Sequence, residues 1–172
     1  MPELVVRMGE LAISTTTGDV LVCIGLGSCI GLALVARSGQ ACGVAHVMLP
    51  DSGGRRADKA GKFADLALPA LLDGMARVGV GPHSLDAVLA GGAQMFEGST
   101  GIEIGARNEA AVRAGLAAAG IPVAAAATGG NNGRTMRVEV GAGSVTVREA
   151  GADEETLRPP STKPLRGEAP WA

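Results

Sequence analysis

The stretches 30–36 (IGLALVA) and 41–49 (ACGVAHVML) are apolar at nearly every position. A strand with one wet face alternates apolar and polar residues, so a strand without alternation needs cover on both faces. A chain built around such strands has to place a layer of structure on each side of them. Its material is restricted: hydrophobic residues make up 47% of the chain, aromatics only 2%, and tyrosine is absent. The core therefore has to be assembled from Val, Ile, Leu and Ala, which suits strands packed under Ala-rich helices. At 172 residues the chain is one ordinary domain, large enough to bury such a core without metal or disulfide staples.

Strands at 11–17 and 20–26 flank Gly18-Asp19, which predicts a hairpin, and 30–36 and 41–49 pair around Ser38-Gly39-Gln40. A polar, glycine-rich loop follows at 50–61. Residues 62–78 predict a helix with Phe63, Leu66, Ala67, Ala70, Leu71 and Met75 on one face, bent or broken at Pro69. A short strand at 85–89 ends at Gly91-Gly92-Ala93. A second helix at 108–119 is stopped by Gly120 and Pro122. A strand at 123–127 and a pair at 136–140 and 144–147, joined by Gly141-Ala142-Gly143, complete the domain at 1–150. From residue 151 on, prolines and charges replace apolar residues, so 151–172 is expected to be a disordered tail.

A net charge of −2 without a basic stripe, and few aromatics for stacking on bases, argue against a nucleic-acid partner. No apolar run reaches membrane-spanning length, so no membrane insertion is expected. The start Met1-Pro2-Glu3-Leu4 does not read as a signal peptide, and the three cysteines are odd in number with none in a CxxC pair. These features predict a reduced, cytoplasmic protein. The segment Gly129-Gly130-Asn131-Asn132-Gly133-Arg134 lacks the Lys-Ser/Thr of a phosphate loop and is better read as a tight turn. No cofactor is expected. His83 reads as a loop residue.

The chemistry-bearing feature is Cys29, in Leu26-Gly27-Ser28-Cys29-Ile30-Gly31, followed by His46 in the next strand. Glycines beside the cysteine permit a sharp turn at a strand end, which can leave the sulfur accessible and aim the backbone N–H groups of Ser28 and Cys29 at an oxyanion. A free thiol with a pKa near 8.5 is only about 3% thiolate at pH 7, and a histidinium neighbour that lowers the pKa to about 6 supplies roughly 3 kcal/mol. Cys29 is then the nucleophile, His46 the general base, and the 50–61 loop a cover. The bland alternative makes Cys29 a small buried residue and His46 a core histidine bonded to a carbonyl. A third reading gathers Cys23, Cys29, Cys42 and His46 into a Cys3His zinc site, though no pair has the short knuckle spacing of structural zinc sites.

Leu26-Gly27-Ser28-Cys29, Ala45-His46-Val47-Met48-Leu49-Pro50, Lys62-Phe63-Ala64-Asp65, Gly91-Gly92-Ala93-Gln94-Met95-Phe96, Ile104-Gly105-Ala106-Arg107-Asn108 and Thr128-Gly129-Gly130 occur in an order that resembles the CheD family of chemoreceptor glutamine deamidases. The resemblance covers roughly residues 5–148. It implies an α/β fold, a layered α/β/β sandwich with mixed and antiparallel strands and two main helices, similar to bacterial toxin cysteine deamidases. It implies a cysteine hydrolase that converts glutamine side chains of methyl-accepting chemotaxis receptors to glutamate with release of ammonia. The family's nucleophile falls on Cys29 and its base on His46. The family commonly has a threonine six positions before the nucleophile as third catalytic member. Here that position is Cys23, whose thiol accepts hydrogen bonds poorly. A second departure is Ala127, where the family often has an acidic residue. Gly91, Gly92 and Asn108 are expected along a shallow substrate groove walled by the two glycine-rich loops. No metal is implied. A possible second partner is a CheC-type chemotaxis phosphatase, for which a member altered at the third position would serve mainly as a regulatory binding module.

Overall fold

The computed structural model describes residues 2–95 and 103–161. Its elements are β1 (Glu3–Val5), β2 (Leu11–Ser14), β3 (Val20–Leu26), β4 (Ile30–Ala36), β5 (Cys42–Val47), α1 (Ala64–Arg77), a 3-10 turn (Pro82–Ser84), β6 (Leu85–Gly91), α2 (Ile104–Ala119), β7 (Val123–Thr128), β8 (Arg134–Glu139), β9 (Ser144–Glu149) and β10 (Glu154–Arg158). They form two five-stranded sheets, an outer one in the order β1-β3-β8-β9-β10 and a central one in the order β2-β5-β4-β6-β7.

The unalternating strands lie where their composition demands. Every residue of β4 and β5 is buried. On one face of β4, Ile30, Leu32 and Leu34 pack with Leu71 and Met75 of α1 and with Leu116 of α2. On the other, Ala33 and Val35 pack with Leu21, Met136, Val138 and Val145 of the outer sheet. The order is helices, central sheet, outer sheet. Fully burying a Leu or Ile contributes roughly 2–3 kcal/mol, so the two apolar faces of β4 alone tie all three layers together.

The structure corrects four expectations. Gly18-Asp19 is not a hairpin turn, because β2 pairs with β5 in the central sheet while β3 pairs with β1 and β8 in the outer one. Hydrogen bonds between Gly18 and Val140, and between Val140 and Asp19, carry the chain from one layer to the other. Turn chemistry is the same for a hairpin and for such a crossing, so local sequence does not separate them. Pro69 does not end α1, which runs unbroken from Ala64 to Arg77. Helix α2 begins at Ile104, not at 108, with Gly105 in its first turn. A Cβ there would sit 2.5 Å from the Gly92 carbonyl oxygen and 2.6 Å from that of Ala93, so glycine is what lets the helix end approach the 91–93 backbone.

The last correction concerns the tail. Residues Glu154–Arg158 form β10 on the β9 edge, and Arg158 donates from Nη1 to the Gly143 carbonyl (2.6 Å) and from Nη2 to Asp86 (3.3 Å). Leu157 packs against the inter-sheet core. The ordered domain therefore extends past 150, because one apolar residue and one well-placed guanidinium suffice to seat an edge strand. The rest of the expected tail, 162–172, lies outside the described residues.

Candidate active site

Between β3, which belongs to the outer sheet, and β4, which belongs to the central one, only Gly27, Ser28 and Cys29 intervene. The chain changes layers within three residues, so this loop is sharp and sits at the mouth of the inter-sheet space. Cys29 is 9% exposed and faces that space with Ala33 and Val35. Each carbonyl of the loop is held. Gly27 accepts from the Ala93 N–H (2.8 Å), Ser28 from Asn108 Nδ2 (2.9 Å), and Cys29 from the Gly92 N–H (2.8 Å).

His46 lies on β5 directly opposite Gly31 of β4. It has the parity of Cys42 and Val44, which face the outer sheet, so its ring enters the same inter-sheet space that Cys29 faces. Extending the ladder by one pair makes Cys29 and His46 diagonal neighbours. Such positions are about 7–8 Å apart on one face of a sheet, within reach of a ring such as imidazole. The ring is 1% exposed, and its Nδ1 is 3.0 Å from the Val6 carbonyl oxygen. A carbonyl only accepts, so Nδ1 carries the proton and Nε2 is left with its lone pair. Nε2 is buried and makes no hydrogen bond among the described residues, to Cys29 Sγ or to any other atom.

Burial raises the Cys29 thiol above its ordinary range, opposed by its own backbone N–H, and burial lowers His46, opposed by the Val6 carbonyl and the charge of Glu10. Each group taken singly is thus held neutral. A neutral imidazole with its Nε2 lone pair free has the protonation that a general base requires.

Beside His46 opens a groove of about 600 Å³. Its apolar lining includes Met8, Ile24 and Met48, and its charged lining includes Asp58, Lys59 and Lys62. Met8 and Ile24 are each 55% exposed. The 50–61 loop thus contributes a wall through its second half, while its first half is tied to α1, where Asp65 accepts from the Ser52 N–H (2.9 Å) and hydroxyl (2.7 Å).

Other residues singled out from the sequence fall differently. Cys23 is buried between the sheets and its thiol is pushed up to about 12 by burial, with Cys29 adding to the shift. The group that orients His46 is the Val6 carbonyl, which no side-chain pattern could reveal. Gly91 and Gly92 are not groove wall: both are buried backing for the nucleophile loop, with the Cβ position of Gly91 only 2.1 Å from the Cys29 carbonyl oxygen. Asn108, also expected in the groove, is 0% exposed and bridges the Ser28 and Met48 carbonyls (2.9 Å each). The four zinc-ligand candidates do not converge, and among the described residues no three His, Cys, Asp or Glu side chains are placed to hold a metal ion. Cys42 and His46 share a face but are four strand residues apart, roughly 13 Å. His83 is exposed on the 3-10 turn. The 129–133 segment is a turn whose backbone meets the site's backing: Gly129 N–H donates to the Gly91 carbonyl (3.0 Å), and the Gln94 N–H to Gly130 (2.8 Å). Arg134, which ends that segment, is 9% exposed and donates to the carbonyls of Gly91 (3.1 Å) and Gly129 (2.8 Å). Phe96, last residue of its motif, lies outside the described residues.

Residues 48–149 match the family described as CheD chemotactic sensory transduction, a span that begins just after His46. A chemoreceptor glutamine deamidase CheD from Thermotoga maritima is 42% identical over 151 residues, covering 88% of this chain and 94% of that protein. A probable chemoreceptor glutamine deamidase CheD from Clostridium novyi is 44% identical over 135 residues (76% and 83%), and one from Haloarcula marismortui is 38% identical over 144 residues (83% of each).

Proposed function

The chain belongs to the CheD family, and on that footing we propose that it is a cysteine hydrolase that deamidates glutamine side chains of chemoreceptors. The observation that carries the reading is the buried, unpartnered Nε2 of His46, its tautomer set by Val6, in the inter-sheet space that Cys29 faces. A core histidine of purely structural use would pair both nitrogens, since an unsatisfied buried acceptor costs about 1–3 kcal/mol.

The reaction follows from the groups present. His46 Nε2 takes the Cys29 thiol proton as sulfur attacks the glutamine amide carbon. The carbonyl electrons move to oxygen, where the N–H groups of Ser28 and Cys29 receive the negative charge. The tetrahedral species collapses to a thioester as His46 returns the proton to the departing nitrogen, releasing ammonia. Water, deprotonated by His46, attacks the thioester, and Cys29 leaves as thiol, so the product is glutamate. General-base assistance of this kind contributes about 10²–10⁴-fold. An exposed apolar groove rimmed by Lys59 and Lys62 suits a side chain presented on a partner's surface rather than a small free amide. The likeness to toxin cysteine deamidases belongs to this same reading.

The test is mass spectrometry of a chemoreceptor cytoplasmic fragment incubated with the protein. Amide-to-acid conversion at defined glutamines, absent with Cys29→Ala, is the expected outcome. Conversion that persists in the variant removes Cys29 from the chemistry. No conversion with either protein favours the regulatory module that binds a CheC-type phosphatase.

A further inference from the structure

The three carbonyls of the nucleophile loop are held by different kinds of donor. Gly27 and Cys29 accept from backbone N–H groups of Ala93 and Gly92, as the edge of a sheet provides. Ser28 between them accepts from a side chain, Asn108 Nδ2, brought from α2 across eighty residues of sequence. The other Nδ2 proton goes to Met48, two residues beyond His46. Both donors of this amide are therefore spent on the two segments that carry the nucleophile and the base. Its acceptor is spent on nothing: Oδ1 is fully buried and has no hydrogen-bond partner among the described residues.

The consequence lies in peptide geometry. A trans peptide directs its C=O and the following N–H to opposite sides, and there are no cis bonds among the described residues. Fixing the Ser28 carbonyl on Asn108 therefore aims the Cys29 N–H away from α2. That N–H and the Ser28 N–H donate to no backbone or side-chain acceptor among the described residues. The Cys29 N–H therefore remains available to an oxyanion formed by attack of the adjacent Cys29 sulfur.

We infer that Asn108 is the positioning residue for oxyanion stabilisation: it locks the Ser28–Cys29 peptide so that the Cys29 N–H is held as a preorganised donor, and ties that peptide to the His46 strand through Met48. The inference rests on the cysteine-hydrolase reading and goes beyond it by assigning the amide a role that neither proton transfer nor nucleophilicity requires. A side chain without donors releases the peptide. An ionised Asp would set a carboxylate against two carbonyl oxygens.

The test separates oxyanion alignment from general integrity. Alkylation of Cys29 by iodoacetamide is a displacement at carbon that forms no oxyanion, so it reads the thiol and His46 but not the donor. In Asn108→Leu, and in the smaller Asn108→Ala, kcat for receptor-fragment deamidation is expected to fall about 10–10²-fold, somewhat less than removal of a whole oxyanion donor. KM is expected to stay near the wild-type value, and the Cys29 alkylation rate to fall far less than kcat. Parallel loss of alkylation and deamidation, or loss of the folded state in both variants, makes Asn108 merely structural and overturns the inference. Unchanged kcat overturns it as well. If wild-type protein deamidates nothing, the hydrolase reading fails and the inference falls with it, whereas active wild-type protein with equally active variants sinks the inference alone.

Discussion

The Nδ1 of His46 lies 3.0 Å from the main-chain oxygen of Val6, forty residues away in sequence. One hydrogen bond thereby sets the tautomer of the proposed base and joins the central sheet, which carries His46, to the end of β1 in the outer sheet. Catalytic histidines are commonly oriented by a partner on the second nitrogen. Here that partner is backbone, independent of the residue at any one side-chain position.

With the ring held by the Val6 carbonyl, Cys23 is expected to be dispensable for orienting His46. Cys23→Ala is expected to lower stability by roughly 1 kcal/mol, the cost of one small group removed from the inter-sheet core. It should leave the deamidation rate within a few-fold of wild type. Urea denaturation and the receptor-fragment assay, run side by side, check the two halves. A loss as large as that of Cys29→Ala would return Cys23 to the catalytic set.

The pKa directions predict the pH dependence of the thiols. Cys29 is raised by burial, so its alkylation by iodoacetamide should keep rising with pH through the ordinary cysteine range near 8.5 instead of levelling off below neutrality. Cys23 and Cys42, each pushed up to about 12 and fully buried, should react far more slowly than Cys29 in the folded protein. Peptide mapping after timed alkylation reads both. A plateau below neutrality would instead indicate a preformed thiolate–imidazolium pair.

His46 gives the opposite limb. It acts as a base only when neutral, and burial lowers its pKa below the ordinary 6.5. The acid limb of deamidation should therefore have its midpoint below pH 6.5. The kcat/KM profile of the purified protein measures it, and a midpoint above 6.5 would contradict the neutral-imidazole resting state.

Gly91 supports the nucleophile loop by closeness alone. Its φ is +106°, and a Cβ would stand 2.1 Å from the Cys29 carbonyl oxygen. Gly91→Ala is expected to cost about 3 kcal/mol or more and to depress deamidation by displacing Cys29. Gly53→Ala, at φ +61° with open space around it, should cost only about 1 kcal/mol from backbone strain. Melting temperatures of the pair test whether the crowding at Gly91, rather than positive φ itself, sets the difference.

Periodicity made much of this fold legible. The unalternating stretches at 30–36 and 41–49 announced cover on both faces, and β4 and β5 are buried at every residue. The hairpins β4–β5 and β8–β9 followed from their turns. Layer assignment did not, as Gly18-Asp19 shows: a turn sequence records local φ and ψ, not which sheet receives the next strand. Strand β1 has no sequence signal, because its three exposed residues carry no alternation. At the site, Cys29 and His46 were visible as residue types that carry chemistry. The Val6 carbonyl was not, since every residue has one. The bridging role of Asn108 has no sequence signal, because an amide that holds two main-chain carbonyls looks, in sequence, like any polar residue near a helix start.

The central claim, that Cys29 forms a covalent acyl intermediate with a receptor glutamine, is tested most directly by adding hydroxylamine during turnover. A thioester at Cys29 is intercepted by hydroxylamine, so glutamyl hydroxamate should appear by mass spectrometry at the same glutamines that otherwise become glutamate, and should vanish in Cys29→Ala. Glutamate formed at an undiminished rate with no hydroxamate, in wild type and Cys29→Ala alike, would contradict the account.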